Sequence, residues 1–291
     1  MKPISVVLVA LSVSLFLTAS VAVPDAAVAA DAVAAPPAAP PPPPPPTAPT
    51  PPTPAAPSAP PTLAAQLARI DELHRRRDDR GAWNEEQQLV QATLARAPND
   101  YGTLWRAARF FFWLSDDPGV TSDQRSRWGQ QGWDLAERAI VSRPNDVAGH
   151  YWAAVCMGNY ALGLGVVKAL AKGMEGKFKE RLKRAGELDP QYQHGSVGVA
   201  WGRFYDKLPW PKRDRKKAQE NLRAVLQQHP DNLRAKVFLA LSLADDDHPA
   251  DAKKLLEEVA AAPLGRYDAP EERRAKALAT GAMHDVLAKL K

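Results

Sequence analysis

Apolar residues recur three and four apart along this chain, and each run that does so stops at or near a proline. Leu63, Leu67, Ile70 and Leu73 mark a first helical face; Leu89, Val90 and Leu94 answer it before Pro98, with Gly81 read as the turn between them. A second pair places Leu104, Ala107, Ala108 and Phe111 on one helix and Trp133, Ala136, Ala139 and Ile140 on its return, with the polar stretch Ser115–Gly119 between. The third has Ala153, Ala154 and Met157, a glycine break at Gly158, Gly163 and Gly165, then one long stripe of Leu170, Met174, Phe178, Leu182 and Ala185, read as core. Trp201, Gly202 and Tyr205 pair with Ala218, Leu222 and Leu226. Leu239, Ala240 and Leu243 pair with Ala252 and Leu256. Pro270, Glu271 and Glu272 suit the start of a last helix, buried along Ala275, Leu278, Ala282 and Leu287. No stretch alternates with period two for long enough to make a strand.

The stops form a ladder: Pro98, Pro144, Pro190 and Pro230, at intervals of 46, 46 and 40 residues. A last interval of about 34 to Pro263 has the tetratricopeptide length. Self-similarity at this period predicts stacked helical hairpins, in which small residues let helices approach and proline ends each second helix. The expected fold is all-α: a tetratricopeptide-like α-solenoid of about five helical hairpins plus a C-terminal capping helix, over residues 63–291. Glu86 stands where a small residue belongs, which marks the first unit as degenerate.

The first 62 residues read differently. Lys2, the apolar run Ile4–Leu17 and the small-x-small triplet Ser20-Val21-Ala22 predict a signal peptide over residues 1–22, with a second cut at Ala27-Val28-Ala29 and an uncleaved anchor as the alternative. Residues 23–62 form a linker of Pro, Ala, Thr and Ser. Its seven consecutive prolines from Pro40 to Pro46 favour polyproline II, a spacer on the order of 80 Å for the tract from Ala35 to Pro61. The expected location is therefore the periplasm or cell envelope.

Composition narrows the chemistry. With Lys2, Asp25 and Asp31 set aside, 37 basic and 31 acidic side chains remain, a net of +6, far from the basic stripe of a nucleic-acid binder. The single Cys156 lies in an apolar helix and reads as a small hydrophobe. The six histidines are scattered, no phosphate-cradling loop is complete, and Asp245-Asp246-Asp247-His248 before Pro249 reads as a helix start. No enzyme, cofactor or metal site is expected.

Two constellations remain. By register, Trp105, Arg109, Phe112, Trp113, Tyr151, Val155 and Asn159 point into the concave surface lined by first helices, where Trp, Tyr and Arg make good anchors; packing between helices is the alternative. Trp210, Lys212, Arg213, Arg215, Lys216 and Lys217 follow Leu208-Pro209. Cations at a helix start oppose its dipole, so they suggest an anionic partner or lipid headgroup, against the alternative of a solvated face.

Tyr151–Tyr160, Leu188-Asp189-Pro190, Gly195, Ala200–Tyr205 and Leu208-Pro209-Trp210 resemble the T-component family of TRAP transporters, across roughly Tyr101 to Ala262. The eukaryotic regulators of microtubule dynamics are similar around the Tyr-Trp and Leu-Pro-Trp segments. The T-component resemblance implies a periplasmic helical solenoid that partners a transporter substrate-binding protein, as an oligomer with a ligand-conducting cavity. Known T-components are lipoproteins, whereas no lipid-accepting Cys stands near this N-terminus. The expectation is thus a non-enzymatic binding or scaffold protein for another envelope protein or an apolar small ligand. The alternative is a structural envelope tether in peripheral contact with anionic membrane or wall polymers.

Overall fold

The computed structural model describes residues 61–290, and every regular element among them is helical. The expected leader and nearly all of the expected linker lie outside the described residues. Five hairpins follow in order. They are α1 (Leu63–His74) with α2 (Arg80–Arg96), α3 (Tyr101–Ser115) with α4 (Ser122–Ser142), and α5 (Val147–Leu164) with the broken return α6 (Val166–Ala171) and α7 (Met174–Leu188). Then come α8 (Tyr192–Lys207) with α9 (Arg215–Gln228), and α10 (Leu233–Ala244) with α11 (Pro249–Ala261). The last helix, α12 (Ala269–Ala288), packs on α10 and α11. The chain is an all-α, tetratricopeptide-like solenoid.

The proline ladder has a local cause. Pro98, Pro144, Pro190 and Pro230 each follow the residue that caps α2, α4, α7 or α9, where a missing N–H ends the ladder of helical bonds. An Asx residue two positions on is the N-cap of the next helix in three cases, Asp100, Asp146 and Asn232, and in two of them its side chain caps the helix. The side chains of Asp100 and Asn232 accept bonds from the backbone N–H of Thr103 and Ala235, each contributing about 1 kcal/mol. Thr121 and Gln124 form a reciprocal capping box at the start of α4.

Three expectations are corrected. Gly81 lies inside the first turn of α2, and residues 75–79 make the bend. Gly158 and Gly163 do not break α5. The helix runs through both because Gly163 is where it crosses α4: a Cβ there would stand 2.4 Å from the Ser126 nitrogen. The break comes instead at Gly165, and the stripe expected as one helix is divided again at Gly173, which takes φ +72. Of the stripe, Met174, Phe178, Leu182 and Ala185 are buried as core, whereas Leu170 is half-buried and lines the cavity.

The apolar interior comes in two stretches. One runs from Ile70 in α1 through Trp152 and Met157 in α5 to Val197 in α8; the other runs from Val199 in α8 through Leu222, Leu239 and Leu256 to Val286 in α12. The last helix does more than cover an end. Its start reaches back to the first two hairpins, some 190 residues away in sequence: Asp268 takes a bond from Arg77 at 2.9 Å, and Arg273 pairs with Asp78. Arg274 donates to the Trp113 carbonyl at 3.0 Å. The solenoid therefore closes on itself, and its concave side becomes a cavity.

Candidate functional site

The cavity has a volume of about 1330 Å³ and is lined from α1, α3, α4, α5, α6, α7, α8, α10 and α12, with the Gly265–Asp268 loop at its edge. Its two ends differ. Between α5, α6, α8, α10 and α12 the wall is apolar, with Val155, Leu162, Leu170, Phe204, Leu241 and Leu278 facing inward. Toward α1, α3 and the start of α12 it is a belt of paired charges.

That belt is built from opposite charges across hairpins. Arg109 and Arg106 of α3 hold Asp71 of α1 at 2.9 and 2.7 Å; burial raises the Asp71 pKa, but the two guanidiniums outweigh it and keep the carboxyl below its usual range. Arg234 of α10 bridges Asp116, at 2.8 Å, to Glu271 of α12. Burial pulls its pKa down, and the two carboxylates more than restore it. Glu272 accepts from the backbone N–H of Tyr267 at 2.8 Å and from that of Gly265, which fixes the loop ahead of α12. On the other rim His194 lies between His229 and Tyr267, with ring centroids 4.2 and 4.4 Å away, and bonds Asp231 at 2.8 Å.

Glu86, the residue that looks like degeneracy in the sequence, sits wholly buried against His74, Oε1 to Nδ1 2.8 Å. Burial pushes its carboxyl up to about 7. Burial, followed by repulsion from Arg109, Arg77 and Arg274, pushes His74 well below its ordinary value. A neutral pair sharing one proton satisfies both directions.

All seven residues placed on the concave wall by register line the cavity, but not as open anchors. Trp113, Tyr151, Arg109 and Asn159 are buried, while Trp105, Phe112 and Val155 are half-buried. Arg109 is engaged by Asp71, and Asn159 donates to the Ser115 hydroxyl at 3.0 Å, so both tie helices together. Trp113 is flanked by two guanidiniums, Arg77 at 4.1 Å and Arg274 at 3.2 Å from the ring centroid. Phe112, Tyr151 and Trp152 pack ring against ring at centroid distances of 4.9–5.5 Å. The expected aromatic surface is thus a cavity wall of interlocked rings that also pack between helices, with Trp113 covered by Arg77 and Arg274.

The second constellation is partly accounted for locally. Asp214 is the N-cap of α9; its carboxylate accepts from Lys217 N–H at 3.0 Å and meets Lys217 Nζ at 3.3 Å. It supplies the acid that the positive N-terminal end wants. Lys212 pairs with Glu175, Arg213 donates to the Leu208 carbonyl, and Arg215 is half-buried. Trp210 is 89% exposed and Lys216 is exposed.

Sequence reading did not identify Arg203, Arg234, Phe238 or Leu278 as cavity residues. One signal was available: Leu233–Ala244 is apolar on nearly every side, as a helix must be when both its faces are covered. Cys156 is fully buried at the α3–α4–α5 crossing, and burial raises its thiol pKa, so it holds no ready thiolate. No cluster of His, Cys, Asp and Glu among the described residues has metal-holding geometry.

Comparison with known proteins agrees with this architecture. The family model described as Regulator of microtubule dynamics protein 1-3 matches residues 66–205, from α1 to near the end of α8. Regulator of microtubule dynamics protein 1 of Bos taurus is 25% identical over 153 residues, 52% of this chain; the chain spans 47% of that relative's length. Among solved structures, a thermophilic TPR protein of Thermus thermophilus superposes with a TM-score of 0.57 at 16% identity, covering 77% of this chain and 100% of its own. The likeness to that structure concerns the fold alone. The chain is a tetratricopeptide-like helical protein, similar from residue 66 to residue 205 to the regulators of microtubule dynamics.

Proposed function

We propose that this domain is a non-enzymatic binding module that holds an elongated, mostly apolar ligand inside its closed solenoid. The observation that carries the reading is the apolar end of the cavity. Val155, Leu162, Leu170, Phe204, Leu241 and Leu278 face a space of about 1330 Å³, larger than the ~300–1,000 Å³ of ordinary small-molecule sites. A chain of about ten methylenes buried there supplies roughly 8 kcal/mol before ordering costs, a gross affinity near micromolar. Arg203 of α8 suits the polar end of such a molecule: it lines the wall, stacks on Phe238 at 4.6 Å and meets a carboxylate only at 3.5 Å, in Asp206.

The leader-like start of the chain supports an exported location. The segments that resemble T-components support a narrower form, an accessory that partners a transporter's substrate-binding protein. The test is titration with a lipophilic fluorophore whose emission rises on burial. The parent binds it saturably; Val155→Trp and Ala200→Trp, which fill the wall, abolish binding while leaving the helical circular dichroism intact. Equal binding by parent and filled variants overturns the reading.

A further inference from the structure

One rim of the cavity carries a dense cluster of positive charge together with the most exposed indole among the described residues. Residues 165–179 and 207–217 hold ten Lys and Arg against two acids, Glu175 and Asp214, a net of +8; the whole 291-residue chain has a net of only +5. The two segments meet in space, since Lys212 from the second pairs with Glu175 in the first. They also frame the cavity, because Val166, Leu170 and Glu175 on one side and Lys207 and Leu208 on the other line it.

The acids around this rim are already engaged. Glu175 is held by Lys179 at 2.6 Å and by Lys212, and Asp214 caps α9. Asp206 is taken by Lys207 and Arg203, and Asp245, which acts on Lys207 and Arg215 from the next hairpin, is held by Lys289 at 2.9 Å. Lys177 turns away to Glu137. Lys168, Lys172, Arg213 and Lys216 have no carboxylate partner among the described residues, and all four are exposed. Beside them stand Val167, 69% exposed, and Trp210, 89% exposed on a loop whose Pro209 carbonyl accepts from both Lys212 and Arg213.

From this we infer that the rim formed by α6 and the Trp210 loop is a docking surface for an anionic lipid bilayer, seating the mouth of the cavity against the membrane. The residue types choose the partner. Protein interfaces are enriched in Arg and depleted in Lys, whereas three of the four exposed cations without a carboxylate partner here are lysines. Lysines around an exposed Trp and Val match a bilayer's anionic headgroups and the apolar layer just beneath them. An apolar molecule leaving the bilayer then meets Val166 and Leu170 first. The inference goes beyond the cavity reading, because docking is measured with no cavity ligand added.

The experiment is flotation of the full chain with vesicles of phosphatidylcholine alone or mixed with phosphatidylglycerol. The parent floats with the mixed vesicles, less so at high salt, and Trp210→Ala reduces the bound fraction. Lys168→Glu, Lys172→Glu and Lys216→Glu together lower partitioning by about fivefold or more for each charge replaced. All of these positions are exposed, so the fluorophore titration of the cavity stays at the parent value and separates the two readings. The proposal is overturned if charge reversal leaves flotation unchanged. It is equally overturned if the parent binds both vesicle types alike, or if it binds neither and a protein partner alone responds to the substitutions.

Discussion

Removing the Arg274 side chain tests the closure of the solenoid. In the structure Arg274 lies against Trp113 at 3.2 Å, donates to its carbonyl at 3.0 Å, and stands 3.4 Å from Asp117. Its side chain is 8% exposed, so little screening applies. A charged group's bond to a backbone carbonyl contributes about 1.5–3 kcal/mol, and a desolvated cation–π contact up to about 2. These overlap, and Arg274→Ala is expected to cost about 2–3 kcal/mol. At about 2–4 °C per kcal/mol for a domain of this size, the melting temperature falls by on the order of 5–10 °C. Arg274→Lys keeps the charge but not the flat stack and falls between. The second readout is amide exchange. Residues 269–277 of α12 lose protection while α4 and α5 keep theirs, because the contact that holds the start of α12 to Trp113 is gone. Arg273, half exposed in its pair with Asp78, serves as the control and costs about 0–1 kcal/mol. If Arg274→Ala melts with the parent and α12 stays protected, the closure is not what the side-chain contacts describe.

Three further outcomes follow from the packing. Glu86 is uncharged below its unfolded value of 4.5 and must bury a charge as the pH rises through its folded value of about 7. Glu86→Gln therefore gains stability relative to the parent across that interval, by up to about 3 kcal/mol, and parallel denaturation curves over that range would contradict the assignment. Gly163→Ala forces a methyl against the α4 backbone and costs about 1–3 kcal/mol, whereas Gly176→Ala meets open space in α7 and gains about 0.5–1; urea midpoints moving in the same direction would refute this contrast. Cys156 reacts with a thiol reagent only at the rate of unfolding, and fast labelling of the native protein would show that the α3–α4–α5 crossing opens.

The hairpins are legible in the sequence because their signals are local. Pro98 or Pro230 after a cap, and Asp100 or Asn232 before the next turn, act through the backbone within a few residues. Helix spacing also places Trp105 and Tyr151 on the inner wall. What spacing does not reveal is the ring closure. The partners of Arg77, Arg234 and Arg274 lie from 37 to 191 residues away, and no periodicity encodes a contact at such distance. The same blindness makes Glu86 look like a blemish in the first repeat, whereas its partner His74 gives it a buried role across the first hairpin. The glycines mislead for a related reason. Gly158 and Gly163 suggest backbone breaks, yet Gly163 marks a helix crossing, visible only once α4 is in place.

The most direct test of the central claim is native mass spectrometry of the protein purified without detergent, followed by organic extraction. A filled cavity predicts a discrete mass excess in the parent that extraction releases as an apolar, chain-like molecule, and its absence from Val155→Trp. A bare-chain mass for both proteins, with nothing recovered in the organic phase and no lipophilic probe taken up, would contradict it.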